Sequence, residues 1–177
     1  TFLSPGEKAF MSFKKQHILV TGGRGFLGKA ICKELLKRNY LVTSFSRKKS
    51  SHLEALGVHC HTGDLCHLDS LQKLTTKFDA VIHTAAYAGI WGKKEDYEKT
   101  NVIGSQNIVT FCKKNNIPRL VFTSSPSVVF DGKSIKGGDE SLPYAKHFYC
   151  DYARTKAISE QFVLESNSST LRTCALR

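Results

Sequence analysis

The 177-residue sequence contains no long apolar run, although hydrophobic residues make up 41% of it. No stretch approaches the roughly 18 consecutive apolar residues that a membrane-spanning helix requires. The segment from Thr1 to Lys15 has no apolar centre between a basic start and a cleavage site, so a secretory signal is not expected. We interpret residues 1–15 as an N-terminal extension and expect a cytoplasmic protein without a membrane segment.

Cysteine pairs of the Cys-x-x-Cys type are absent, although the chain has six cysteines. In a chain without an export signal these are expected to be reduced thiols. The run His59-Cys60-His61 and the nearby Cys66-His67 invite a zinc interpretation. Strand alternation places the two histidines of the run on one face and Cys60 on the other, so no tetrahedral ligand set closes. We therefore predict no metal site.

Acidic residues are scarce, and the formal net charge is +11. A basic surface can attract nucleic acid, an anionic membrane or a phosphorylated ligand. The lysines and arginines are spread along the chain in short groups, such as those at 47–49, 93–94 and 113–114. Such groups are typical of solvated loops and helix ends, so no nucleic-acid partner is expected.

Short apolar runs alternate with stretches of helical spacing over residues 16–177, which predicts a single α/β domain. The predicted strands are 17–20, 41–45, 58–62, 80–86, 119–123 and 171–176, and the predicted helices are 26–38, a short helix within 68–78, 97–114 and 148–165. Buried strands separated by helices indicate a parallel sheet with helices on both faces. The handedness of the crossovers favours the doubly wound Rossmann fold with strand order 3-2-1-4-5-6.

A glycine-rich turn, Thr21-Gly-Gly-Arg-Gly-Phe-Leu-Gly28, lies between the first predicted strand and the first predicted helix. Gly22 permits a tight turn, Gly25 lets the backbone approach a pyrophosphate, and Gly28 lets the helix pack closely on the sheet. The strand before the turn and the helix after it are the context that supports a dinucleotide site. A plain turn is the alternative.

No acidic residue occurs between Glu34 and Glu54, where an NAD enzyme usually carries a carboxylate for the ribose diol. The end of the second strand instead has Ser46 and Arg47. A guanidinium can bind a 2′-phosphate with charge-assisted hydrogen bonds, whereas a carboxylate would repel it. The sequence therefore predicts NADP as the cofactor, with NAD as a second choice. The alternative is that Arg47 is only a surface charge.

Polar residues follow two more strands at the same predicted edge of the sheet. Asp64 and Leu65 come after the third strand, at the rim of an adenine pocket, although Asp64 could instead cap a helix. Ser124 and Ser125 follow the fifth strand, where ligands bind in open parallel sheets and where a hydroxyl can polarise a substrate carbonyl.

Tyr152 and Lys156 are four residues apart in a predicted helix and therefore share one face. The ammonium charge can lower the pKa of the phenol, which makes a tyrosine acid/base usable near neutral pH. Combined with the glycine turn, this pair predicts a pyridine-nucleotide oxidoreductase.

These motifs resemble those of the extended short-chain dehydrogenase/reductases, and most closely the 3β-hydroxysteroid dehydrogenase-like branch with its family 42E type. The resemblance runs from about Gln16 to Arg177. It rests on the glycine turn, Gly63-Asp-Leu65, His83-Thr-Ala-Ala86, Asn101-Val-Ile-Gly104, Thr123-Ser-Ser125, Gly138-Asp-Glu-Ser-Leu-Pro143 and Tyr152-Ala-Arg-Thr-Lys156.

The resemblance implies a role for each matching residue. Tyr152 is the general acid/base, Lys156 binds the nicotinamide ribose and lowers the tyrosine pKa, and Ser125 hydrogen-bonds the reacting oxygen. The expected cofactor-binding residues are Gly22, Gly25, Phe26, Leu27, Gly28, Ser46, Arg47, Asp64, Leu65, Ala85, Ala86, Asn101 and Lys156. Family members that use NAD often carry an acid at the position of Ser46.

Our leading hypothesis is an oxidoreductase that interconverts a secondary alcohol and a ketone on a sterol-like or other hydrophobic small molecule, as in steroid biosynthesis. A nucleotide-sugar epimerase or dehydratase, or a flavonol-type reductase, remains open because these enzymes use the same Tyr/Lys pair. A binding protein that senses NADP without turnover is a third hypothesis. The resemblance also implies a homodimer formed through helices 97–114 and 148–165, and a substrate domain beyond Arg177.

Overall fold

The computed structural model describes residues 15–177, so the predicted extension lies outside the described residues except for Lys15. One sheet of six parallel strands occupies the centre, in the order β3-β2-β1-β4-β5-β6, which confirms the predicted order. The strands are β1 (His17–Thr21), β2 (Leu41–Ser46), β3 (His59–Thr62), β4 (Ala80–His83), β5 (Arg119–Thr123) and β6 (Arg172–Leu176).

Helices cover both faces of the sheet. Neighbouring residues of each strand point to opposite sides, so apolar strand residues contribute to a core on each face. The helices are α1 (Phe26–Lys37), α2 (Ser51–Ala55), α3 (Leu68–Gln72), α4 (Lys94–Tyr97), α5 (Gly104–Lys114) and α6 (Asp151–Glu165), with a π-helical segment at Glu98–Ile103 between α4 and α5. Ile18 and Val20 of β1 belong to a core shared with Cys32 of α1. Leu19 belongs to the opposite core with Ile108 of α5. Strands buried on both faces explain why the sequence reads as short continuous apolar runs.

Several boundaries differ from the sequence-based expectations. The predicted helix 97–114 is three consecutive segments, because apolar spacing does not report a change from i→i+4 to i→i+5 hydrogen bonds. The predicted helix 148–165 begins at Asp151, after Cys150 adopts an extended conformation. Helix α2 was not predicted. Within residues 15–177, none of the helices has the length and apolar character needed to cross a bilayer.

Candidate functional site

A cleft of about 300 Å³ opens at the carboxyl edge of the sheet, around the ends of β1 to β4. Its position is that expected for a ligand site in an open parallel sheet. Eight of the predicted cofactor-binding residues line it: Gly22, Gly25, Ser46, Arg47, Asp64, Leu65, Ala85 and Ala86. Arg24, Phe45, Lys48, Gly63, Thr84 and Thr100 also line it and were not predicted.

The glycine turn forms one wall of the cleft. Gly22 has a positive φ of 70°, which a residue with a side chain rarely adopts, and its carbonyl accepts a hydrogen bond from the amide of Gly25 at 2.8 Å. A Cβ on Gly28 would clash with the carbonyl oxygen of Gly22 and lie 2.7 Å from Cα of Gly23. The turn therefore brings the N-terminus of α1 against the end of β1, a geometry suited to a pyrophosphate.

Two residues of the turn lie away from the cleft lining. Phe26 is 95% exposed and Leu27 is 44% exposed, so their side chains face solvent at the start of α1. Only their backbone could serve a bound dinucleotide, through the free N–H groups of the first helical turn.

The cleft is basic at the end of β2. Arg24, Arg47 and Lys48 line it together, and Asp64 is the one acidic side chain among the lining residues. The hydroxyl of Ser46 is buried and has no hydrogen-bond partner within residues 15–177. A buried polar group without a partner is costly, which points to a ligand that supplies one.

Asp64 holds the turn after β3. Its Oδ1 accepts a hydrogen bond from the backbone amide of Cys66 at 2.9 Å. Burial raises the pKa of this carboxyl, but the hydrogen bonds from Cys66 and the charges of His67 and Arg47 outweigh it and lower the pKa. The N-cap of α3 is His67, so the helix-cap alternative for Asp64 is wrong.

Asn101, in the π-helical segment, is 2% exposed and does not line the cleft. Its side chain accepts a hydrogen bond from the amide of Tyr87 at 2.7 Å and donates to the carbonyl of the same residue at 3.1 Å. It also donates to the hydroxyl of Thr155 on α6 at 3.0 Å. Asn101 thus joins the loop after β4 to the helix that carries Tyr152 and Lys156.

The loop held by Asn101 carries two exposed apolar side chains. Ile90 is 72% exposed and Trp91 is 90% exposed, between β4 and α4. The loop is held a second time where the hydroxyl of Tyr97 donates to the carbonyl of Gly89 at 2.9 Å. The exposed side chains of Ile90 and Trp91 therefore lie on a loop that Asn101 and Tyr97 hold by hydrogen bonds.

The two serines after β5 have different environments. Ser124 is buried and donates a hydrogen bond to Glu160 of α6. Ser125 caps the 3-10 turn Pro126–Val128, and its Oγ lies 2.8 Å from Oγ of Ser127. Of the two serines, only Ser124 is bonded to α6, and the ligand contact expected of Ser125 stays a prediction.

Tyr152 and Lys156 lie one turn apart on α6, which begins beside the end of β5. Tyr152 is half-buried, and Lys156 is 3% exposed. The ammonium of Lys156 donates to the carbonyl of Thr123 at 2.5 Å and lies 3.8 Å from the ring centroid of Phe122. An ammonium has three donor positions, so its bond to Thr123 leaves two others. Neither Tyr152 nor Lys156 lines the cleft of about 300 Å³.

Burial governs the charge of Lys156. It lowers the pKa of the ammonium to about 7, against the opposing charge of Glu160. His83, at the end of β4, is completely buried between the hydroxyls of Thr21 at 2.6 Å and Ser105 at 3.1 Å. Burial, aided by the charge of Lys156, lowers the pKa of His83 to about 3, so this imidazole is neutral at pH 7.

The lowered pKa of Lys156 predicts a pH-dependent stability. Because the folded state holds this proton less tightly than the unfolded state, the free energy of unfolding should rise with pH between about 7 and 10.5. The slope from this one group approaches about 1.4 kcal/mol per pH unit. We expect Lys156→Met to lose that slope. Urea unfolding of both proteins at several pH values measures it, and parallel curves would contradict the assignment.

The fold brings to this edge several residues that were not predicted from the sequence. Arg24 lies inside the glycine motif, and its positive charge could have indicated a phosphate contact. Glu160 continues the four-residue spacing of Tyr152 and Lys156, which could have placed it on the same face of the helix.

Within the described part of the chain, no group of three or more histidines, cysteines or acids is close enough to hold a metal ion.

The sequence matches the model of the 3-beta hydroxysteroid dehydrogenase/isomerase family over residues 19–177. It is 42% identical to a 2-alkyl-3-oxoalkanoate reductase of Shewanella oneidensis, over 94% of this chain and 45% of that protein. It is 37% identical to the human short-chain dehydrogenase/reductase family 42E member 1, over 93% of this chain and 45% of that protein. The chain thus spans about half the length of the curated relatives it matches.

Solved structures share the fold. A UDP-glucose 4-epimerase of Thermus thermophilus in complex with NAD superposes with a TM-score of 0.79 at 27% identity, over 92% of this chain and 54% of that one. A short-chain dehydrogenase/reductase superfamily protein of Agrobacterium tumefaciens with bound NAD gives a TM-score of 0.80 at 25% identity, over 92% and 48%. The glycine turn, the sheet order and the family match agree, and the chain belongs to the 3-beta hydroxysteroid dehydrogenase/isomerase family.

Proposed function

We propose that the protein is an NADP-dependent oxidoreductase that interconverts a secondary alcohol and a ketone on a hydrophobic substrate. The observation that carries the proposal is the placement of Tyr152 and Lys156 on one face of α6, at the same sheet edge as the glycine turn. Lys156 reaches the end of β5 through the carbonyl of Thr123, two residues before Ser125.

The residues of the cleft fit a pyridine dinucleotide. Gly25 lines the cleft without a side chain, and the absence of a Cβ on Gly28 lets α1 pack against the backbone of Gly22 and Gly23. The unpartnered hydroxyl of Ser46 lies where a ribose would need a polar contact. Arg24, Arg47 and Lys48 could hold a 2′-phosphate, which supports NADP over NAD.

The glycine turn, Ser46 and Arg47 would hold the cofactor, whose nicotinamide would provide the hydride chemistry. Tyr152 gives its proton to the developing alkoxide, or takes the proton of the alcohol in the reverse direction. Lys156 favours the phenolate through its charge. Ser125 donates a hydrogen bond to the reacting oxygen and orients it toward Tyr152.

A hydrophobic substrate is supported by the segment between the two proposed catalytic elements. Phe130 is 43% exposed and Tyr149 is 73% exposed, and their ring centroids lie 5.9 Å apart. The names of the relatives, a 2-alkyl-3-oxoalkanoate reductase and a 3 beta-hydroxysteroid dehydrogenase/Delta 5-->4-isomerase, are consistent with such a substrate.

A substrate screen of the full-length protein tests the proposal. It compares 3β-hydroxysteroids, 2-alkyl-3-oxoalkanoates and UDP-sugars, with the absorbance of the reduced cofactor as the measurement. Oxidation or reduction of either of the first two classes is expected. Interconversion of UDP-sugars without net cofactor reduction would favour an epimerase, and tight cofactor binding without any turnover would favour an NADP-sensing protein.

Cofactor choice gives a separate prediction. Arg47→Ala should weaken NADP binding by about 10- to 100-fold, the range expected for a lost charge-assisted hydrogen bond, and should leave NAD binding nearly unchanged. Titration calorimetry with both cofactors measures this. Lys49→Ala is the control. Lys49 lies two residues after Arg47, and its ammonium is 3.9 Å from Oε1 of Glu54. Equal weakening of both cofactors would show that Arg47 does not read the 2′-phosphate.

We further propose a homodimer that acts in the cytosol. Ile103, Ile158 and Leu164 are 42%, 40% and 39% exposed on or beside the two helices expected at the interface. All six cysteines are free thiols, which suits a reducing compartment. Light scattering that gives a monomer mass would exclude the dimer for this chain.

A further inference from the structure

One buried carboxylate near the proposed active site takes no part in the proposed proton and hydride transfer. Glu160 of α6 is 1% exposed. Its two oxygens accept hydrogen bonds from Ser124 after β5, from the hydroxyl of Tyr144 at 2.9 Å and from Nε of Arg177 at 2.9 Å. Nη2 of Arg177 completes the ion pair, also 2.9 Å from Oε1 of Glu160. The donors come from three segments that are far apart in the sequence.

Arg177 balances the charge of Glu160 and extends the cluster. It donates to the carbonyl of Leu142 at 3.3 Å, and its guanidinium lies 5.0 Å from the ring centroid of Tyr144. Well-packed apolar residues often stabilise a fold as well as a buried ion pair does, so the pair is a poor device for stability alone. Its use is better sought in the geometry that it imposes.

The cluster fixes the segment between the two proposed catalytic elements. Tyr144 is held by Glu160, and the amide of the next residue, Ala145, donates to the carbonyl of Val128 at 2.9 Å. Val128 ends the 3-10 turn that Ser125 caps. The segment from Leu142 to Ala145 therefore bridges α6 and the Ser125 turn.

Glu160 also lies one helical turn after Lys156 on α6. Tyr152, Lys156 and Glu160 are spaced four residues apart along α6 and so form one row. The other groups against Lys156 are the neutral His83 of β4, and the ring of Phe122 and carbonyl of Thr123 in β5. Glu160 is thus the nearby anion that favours the ammonium over the amine.

We propose that Glu160 is a positioning residue: through its bonds to Ser124, Tyr144 and Arg177 it holds Ser125 in register with Tyr152. The inference rests on the proposed function, because register matters only if Ser125 and Tyr152 act on one substrate. Its structural part can be measured without any turnover.

Three variants separate the roles. Glu160→Gln removes the charge, Tyr144→Phe removes only the hydroxyl that ties the segment, and Glu165→Gln makes the same chemical change at an exposed position of α6. Hydrogen exchange of the Ala145 amide should become about 10-fold faster in the first two variants and remain unchanged in the third. Unchanged exchange in Tyr144→Phe would overturn the bridging role, even if Glu160→Gln fails to fold.

Kinetics then relate the cluster to the reaction. In the full-length protein, kcat should fall about 10- to 100-fold in Glu160→Gln and Tyr144→Phe, with an unchanged Kd for the cofactor. Wild-type kcat in both variants would overturn the positioning role. Absence of turnover in the wild type would instead refute the proposed function, while the exchange results would still decide whether Glu160 ties the segment to α6.

Discussion

Replacement of Tyr152 by phenylalanine is expected to reduce kcat by about 10²- to 10⁴-fold, the usual contribution of a positioned acid/base. The ring keeps its half-buried position on α6, so packing and the cofactor cleft should be preserved. Only the proton donor is lost. Steady-state kinetics of the full-length protein measure kcat, and calorimetry with NADP should give an unchanged Kd.

Tyr40→Phe is the matched control for this prediction. Tyr40 directly precedes β2, at the opposite edge of the sheet from the cleft, and is partly buried. The same chemical change at this distant position should leave kcat within a factor of a few. Equal turnover of Tyr152→Phe and the wild type would remove Tyr152 from the mechanism.

Replacement of Gly28 by alanine is expected to weaken cofactor binding by more than about 100-fold and to destabilise the fold by about 1–3 kcal/mol, as overpacking commonly does. The added Cβ would meet only backbone atoms of Gly22 and Gly23, and backbone cannot rotate away as a side chain can. Helix α1 must then move off the sheet. Calorimetry with NADP and thermal unfolding measure the two effects.

Two further variants separate the causes. In Gly25→Ala the Cβ would lie 3.2 Å from the carbonyl oxygen of Gly22, a milder contact, so Tm should change little. Because Gly25 lines the cleft, the same Cβ should abolish cofactor binding. Ala30→Val adds bulk to an exposed position of the same helix and should change neither quantity. Wild-type affinity in Gly28→Ala would show that the turn does not set the cofactor site.

The strands and the glycine turn could be predicted because local sequence determines them, and the handedness of the crossovers then favours one strand order. The alternation of Ile18, Leu19 and Val20 between two cores makes β1 a continuous apolar run, and the glycines mark where that run must turn. The shared face of Tyr152 and Lys156 follows from helical spacing alone. These features need no knowledge of distant contacts.

The rest depended on pairs that are distant in the sequence. Ser124 and Ser125 are identical residues, and only the contact of Ser124 with Glu160 distinguishes them. The bond of Lys156 to Thr123 spans 33 residues, and local spacing does not indicate such a partner. The π-helical segment left no mark on the apolar pattern, because it is six residues long and its one buried residue is the polar Asn101.

The loop after β4 offers a practical consequence of its exposed tip. Trp91 is the only tryptophan of the chain, so intrinsic fluorescence reports from this one position. Its indole is almost fully hydrated, which gives red-shifted emission, while Asn101 and Tyr97 anchor the loop beside the ends of the strands. A molecule that covers the tip would shift the emission to the blue, and the unlabelled protein thus carries its own optical probe.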